Sequence, residues 1–199
     1  VSGSEESLVV RAFDALRRGE IGRADLTARK LTAFLEQSTI VLYHRFGSLD
    51  GFLIRIDGAG WRLLLSELQQ VKAPALEDVA EAYVDFAFRH RDLYWLMTEH
   101  PFDRDALRAR GQLRLESTLL SAFRDLLARH GSREPDADTF VAFAALHGLA
   151  SLALGGRLEL GGGRNLRGRI REEARRVARL LAAPAPAPFD GKKRRRSRT

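Results

Sequence analysis

Cysteine is absent from the 199 residues, which excludes a disulfide framework, a thiolate nucleophile and any cysteine-ligated zinc or iron–sulfur centre. Proline is scarce, and three of the six lie between positions 184 and 188, so most of the chain is free of strong helix breakers. No apolar run reaches the roughly 18 residues a membrane span needs. The opening VSGSEESLVV has neither a basic n-region nor a long apolar h-region. The expectation is a soluble, cytoplasmic protein without a membrane partner. Catalytic signatures are missing too: there is no HExxH and no GxSxG, and GGGRNLRG follows no predicted strand and lacks the Lys-Ser/Thr ending of a phosphate loop. Neither Glu99-His100 nor the pair His90 and Asp92 supplies enough ligands on one face for a metal. No enzymatic activity, metal or cofactor is expected.

What the chain does have is leucine and alanine, 31 and 27 residues, both strong helix formers. Apolar periodicity predicts an all-α fold of about nine helices. Residues 5–18 place Leu8, Val9, Ala12, Phe13 and Leu16 on one side, with Gly19 as a stop. Thr27 is positioned to cap a short helix carrying Leu31 and Leu35, and Ser38 a third carrying Leu42 and Phe46. Long helices follow from about 49 to 71, through 77–89 with a break near His90, through a short aromatic segment before Pro101, and from 103 to 130 across Gly111. Pro135 starts a helix with almost no polar relief, which requires burial inside the domain or against another chain. Residues 166–182 form a last amphipathic helix through Leu166, Ile170, Val177, Leu180 and Leu181. Charge is uneven within the net +7: residues 1–161 balance at −3 and residues 162–199 at +10. The end, APAPAPFDGKKRRRSRT, reads as a disordered Pro/Ala spacer and a basic tail able to touch phosphates nonspecifically.

Two short helices joined after Leu35 and restarting at Ser38 have helix-turn-helix spacing. The longer stretch LTARKLTAFLEQSTIVLYHRFGSLDGFL, residues 26–53, resembles without gaps the DNA-binding motif of the TetR family of bacterial transcriptional regulators. Thr27, Arg29, Leu31, Leu35, Ser38, Leu42, Tyr43, His44, Phe46, Ser48 and Leu53 fall at family-like positions. Farther on, YVDFAFRHRDLYWLMTEHP and FAALHGLASLALGGRL resemble the ligand-binding and dimerisation part of one branch, the WHG type. Of that signature His147-Gly148 is kept, while the usual preceding Trp is absent. Two further departures stand out: Glu36 occupies the turn where the family often has Gly, and Leu49 replaces a usual basic residue.

The resemblance implies a DNA-binding domain over 1–47, a helical effector-binding and dimerisation domain over 48–183, and a tail over 184–199. It implies that helix 38–44 enters the major groove of double-stranded DNA at a palindromic operator. There Thr39 would reach a base edge or phosphate, and Ile40 or Val41 a thymine methyl. Tyr43 and His44 would donate to phosphate, Thr27, Ser38 and Ser48 would sit at helix ends facing the duplex, and Arg29, Lys30 and Arg45 would add ion pairs. An apolar small-molecule effector would lie in a cavity drawn from Trp61, Leu65, Tyr83, Phe86, His90, Tyr94, Trp95, Phe123, Phe143 and His147. A homodimer would form through Leu146, Leu149, Leu152, Ile170, Val177 and Leu181, with His147 facing either cavity or partner. The function implied is a transcriptional regulator, most often a repressor. The alternative is a dimeric ligand-binding protein without specific operator recognition, discriminated by effector binding that persists without DNA binding.

Overall fold

The computed structural model describes residues 4–71, 75–109, 112–158 and 165–182, with residues 112–116 described by backbone alone. Among them every regular element is helical: α1 (Glu5–Arg18), a single 3-10 turn (Arg23–Asp25), α2 (Ala28–Phe34), α3 (Thr39–Phe46), α4 (Leu49–Gln69), α5 (Leu76–Arg89), α6 (Arg91–Thr98), α7 (Arg104–Ala109), α8 (Gln112–Arg129), α9 (Pro135–Leu154) and α10 (Leu166–Ala182). The all-α expectation is met with ten α-helices in place of nine. Residues 110 and 111, on which the expectation of one unbroken helix through Gly111 falls, lie outside the described residues, as do the Gly-rich connector 161–164 and the tail 184–199.

Local chemistry sets the helix ends. Hydroxyl oxygens of Ser4, Thr27, Ser38 and Ser48 each accept from the amide three residues on, capping α1, α2, α3 and α4. Pro135 occupies the first turn of α9, where its missing N–H costs nothing. His90 leaves helical geometry and separates α5 from α6, at the break the sequence predicts.

The apolar core is continuous. Leu8, Leu16, Leu31, Leu42 and Phe46 from the first three helices join Phe52, Leu53 and Ile56 of α4, and the same cluster runs on through α5, α6, α8, α9 and α10. Helix α4 is the axis: its first half packs on α1 and α3, its second on α5, α6 and α8. Gly60 makes the α4–α6 contact possible, since a Cβ there would stand 2.6 Å from Met97 Sδ and 3.1 Å from Leu93 Cδ1.

Helix α9 is long and apolar enough by length and composition to cross a membrane. This corrects the expectation that no segment reaches that length. In the fold, Thr139, Ala142, Leu146, Ala150 and Ala153 are buried against α5, α8 and α10. Its opposite side leaves Phe140 68% and Val141 54% exposed, so the helix is covered on one face only. Leu180, expected on the inner face of α10, is exposed instead.

Helix α10 lies along α5, with Ile170, Ala174 and Ala178 fully buried beneath. A row of arginines one turn apart closes the contact. Arg167 pairs with Asp85 at 3.0 Å, Arg171 grips the same carboxylate through both nitrogens, and Arg175 bridges Glu81 and Asp78. Burial pushes the Asp85 pKa up, but the Arg171 and Arg167 guanidiniums outweigh it and hold the carboxyl below its ordinary value. The unfolded chain therefore takes up this proton first as pH falls, so the stabilisation is complete above about pH 4 and is lost progressively below it. Asp85→Asn should lower stability by about 1 kcal/mol at pH 7, a melting shift of about 2–4 °C. The difference from the native protein should shrink in thermal melts at pH 3.

Candidate functional site

The first site is the exposed side of the α2–α3 pair. Leu31, Leu35, Leu42 and Phe46 are all buried, and Phe46 meets Phe52 of α4 edge-on, with ring centroids 4.8 Å apart. These contacts fix α3 from behind. Its outer face presents Thr39, Ile40 at 78% exposure and Tyr43 at 49%, with His44, Ser38, Thr27, Arg29 and Ser48 also exposed around it. Thr27, Ser38 and Ser48 all serve as helix caps.

Two expected contacts are placed differently. Val41 is half-buried and borders a small crevice with Leu8, Thr32, Leu35 and Gln37, so of the pair Ile40 and Val41 it is Ile40 that points outward. The Lys30 ammonium is engaged, donating to the Ala24 carbonyl at 2.9 Å and pairing with Asp25 at 3.0 Å. It ties α2 to the preceding 3-10 turn. Arg45 is half-buried.

The turn between α2 and α3 keeps a glycine-type geometry without glycine. Gln37 N donates to Thr32 O at 2.8 Å and Glu36 N to Ala33 O at 3.2 Å, the paired bonds of a Schellman ending. Glu36 sits at the left-handed position with φ 57, the one non-glycine residue among those described with positive φ. A Cβ in that region costs about 1–2 kcal/mol.

The second site is a cavity of about 200 Å³ between α4, α6, α8 and α9. Trp61, Phe143 and His147 border it, as the sequence predicts, together with Met97, Thr98, Leu119 and Leu120. His147 stacks on Phe143 at 6.2 Å between centroids, and its Nδ1 lies 2.9 Å from the Tyr94 hydroxyl, which in turn meets the Tyr83 hydroxyl at 3.1 Å. Burial pushes both tyrosine pKa values upward, so the two phenols stay protonated. Burial also holds His147 below the ordinary imidazole value, against a weaker upward pull from Glu99.

The remaining predicted lining residues are distributed elsewhere. Tyr83 is fully buried beside Tyr94. Tyr94 and Trp95 border a separate, more polar cleft of about 690 Å³ with Arg23, Asp92, Glu99 and Ser151, while Leu65 and Phe123 border a third hollow of about 190 Å³. Phe86 is core, with no exposure. His90 packs on Phe86 at 5.0 Å and its Nδ1 lies 3.2 Å from the Arg17 carbonyl oxygen, so it links α5 to α1 and does not reach the cavity. Met97 and Thr98 were missed, although they lie one turn beyond Tyr94 and share its helix.

A third surface is the uncovered side of α9. Phe140, Val141 and Leu152 are exposed there, and a Cβ added at Gly148 would meet nothing within 4 Å. Of the six residues expected at a dimer contact, Leu146 and Ile170 are buried in the chain's own core and cannot serve a partner without unpacking it. Leu149, Val177 and Leu181 are half-buried.

The α2–α3 turn yields a direct test. Glu36→Gly removes the left-handed strain at the cost of a freer unfolded chain, and should stabilise by about 0.5–1 kcal/mol, raising Tm by about 2–4 °C. A lower Tm would mean that the Glu36 side chain makes contacts worth more than the strain.

Comparison with known proteins agrees with this geometry. The sequence model of the tetracyclin repressor-like C-terminal domain matches residues 76–177. Among solved structures, a protein with unknown function from Rhodococcus sp. RHA1 superposes with a TM-score of 0.67 at 23% identity, over 92% of this chain and 97% of that one. A TetR-like transcriptional regulator from the same organism superposes with a TM-score of 0.62 at 16% identity, over 90% and 96% of the two chains. Both likenesses are of fold. No curated protein matches the sequence.

Proposed function

The chain belongs to the TetR family of transcriptional regulators, and from that premise we propose that it is a homodimeric, sequence-specific DNA-binding repressor released from a palindromic operator by a small, partly apolar effector. The observation that carries this reading is the division of α3 into two faces. Leu42 and Phe46 are buried, while Thr39, Ile40 and Tyr43 are exposed. Exposing a side chain as apolar as Ile40 at the start of a helix has no folding benefit, and a thymine methyl is a suitable partner for it. Thr39 offers a hydroxyl to a base edge or phosphate, and the Tyr43 hydroxyl one turn along offers a donor to the backbone.

Dimerisation is supported by the apolar, uncovered side of α9, where Gly148 lets another backbone approach closely. A two-fold axis through that side presents two copies of α3 to one face of a duplex, the arrangement a palindrome requires. Effector action is supported by α4, which lends Trp61 to the cavity and Phe52 to the seat of α3. Occupancy that moves α4 or α6 would change the separation of the two reading helices and shift the population away from the DNA-binding state. The role is one of binding, not catalysis, exercised in the cytoplasm where the DNA lies.

The test is binding of purified protein to a genomic fragment library at fixed, near-physiological salt. A short palindromic site should emerge, with Thr39→Ala and Tyr43→Phe each weakening it by about five- to tenfold, equivalent to about 1 kcal/mol per lost contact. Deleting residues 191–199 should leave the site's selection intact. Uniform, salt-sensitive binding that vanishes with that deletion would overturn operator recognition by α3 and favour a dimeric ligand-binding protein without an operator.

A further inference from the structure

The hydrogen bonds around the 200 Å³ cavity are almost all committed. The Tyr83, Tyr94 and His147 Nδ1 atoms satisfy one another in a chain, and Thr98 Oγ1 donates to the Tyr94 carbonyl at 2.8 Å. The exception is Trp61. Its side chain is 95% buried by exposure of 5%, it borders the cavity, and among the described residues its indole Nε1–H is a buried donor without a hydrogen-bond partner. A donor left unmet inside a protein forfeits its solvation and gains nothing in exchange, so native structures retain very few of them. An indole nitrogen is donor-only, and what satisfies it must bring an acceptor.

Resting on the effector-site reading above, we propose that this cavity takes a small, neutral, mostly hydrocarbon molecule whose single acceptor oxygen, of ketone, ester or lactone type, is held by the Trp61 Nε1–H. The size follows from volume: an engineered apolar cavity of about 150 Å³ accommodates benzene, so about 200 Å³ takes one ring with a short substituent. The hydrocarbon character follows from Met97, Leu119, Leu120 and Phe143, which supply most of the wall and reward apolar burial. Neutrality follows from charge. The wall contains no lysine or arginine, His147 is kept uncharged by burial, and Glu99 is the charge that acts on it. A carboxylate entering this space would lose its hydration with no cation to replace it. Trp61 is thereby the specificity-determining residue, and it stands on α4 one residue beyond Gly60, where α4 meets α6.

Three probes of one shape separate the contributions: acetophenone with a carbonyl, isopropylbenzene with no acceptor, and benzoate with a charge. Titration calorimetry on the full chain and on Trp61→Phe gives the affinities. Acetophenone should bind the native chain about tenfold more tightly than isopropylbenzene, benzoate should bind weakest, and Trp61→Phe should erase the preference for acetophenone while leaving isopropylbenzene within about twofold. Should Trp61→Phe fail to fold, the order of the three probes on the native chain decides. Equal binding of acetophenone and isopropylbenzene overturns the donor role, tightest binding by benzoate overturns neutrality, and no binding by any probe overturns the assignment of the cavity. Operator selection is measured separately. A protein that selects an operator and ignores all three probes keeps the regulator reading and loses this inference, whereas the acetophenone preference in a protein that selects no operator does the reverse.

Discussion

The contact between α4 and α6 at Gly60 leaves no room for even a methyl group, with Met97 Sδ only 2.6 Å from where a Cβ would stand. Much of the molecule follows from it. Because the two helices are pressed together there, the next residue, Trp61, meets Met97 and Thr98 across a narrow gap, and the apolar cavity opens where α8 and α9 complete the ring. In the other direction α4 runs back to Phe52, which fixes Phe46 and thus α3. A second tie crosses the same region: Arg23 N in the 3-10 turn donates to Asp92 at the start of α6 at 3.2 Å. Close-packed interiors shift between discrete arrangements and do not deform smoothly, so a change in α4–α6 spacing has few ways to relax except through the helices attached to it.

The opposite edge of the molecule is built for rigidity. The arginines of α10 hold it along α5 through Asp78, Glu81 and Asp85, and small residues beneath let the two helices lie close. With α10 committed on that side, α9 is covered by α5, α8 and α10 and left bare on its remaining face. The rigid α5–α10 pair and the bare α9 face belong together: a surface that joins two copies needs a firm base, while the reading helices need some freedom.

Much of this was legible in the residues. The 3.6-residue periodicity of Leu31, Leu35, Leu42 and Phe46 places them inward, and Thr27, Ser38 and Ser48 mark the starts of their helices, because both signals are local. The choice between Ile40 and Val41 was not legible, since both adjoin the buried stripe and only the crevice against Leu8 and Leu35 decides it. Likewise Trp61 and Phe86 look alike as aromatics on an apolar helix face. One borders a void and the other is solid core, a difference that arises where four helices fail to close and that no single segment encodes. Glu36 is the reverse case, a residue that argues against a left-handed turn yet adopts one, because the Schellman bonds and the packing of α2 against α3 override its local preference.

The central claim is that the cavity and the reading helix share α4 and therefore respond together. The most direct measurement is operator affinity with the cavity filled from within by Leu120→Phe, a substitution remote from α3. At least threefold weaker operator binding by a dimer that remains intact is the result this account predicts. An unchanged affinity with the cavity filled would contradict it.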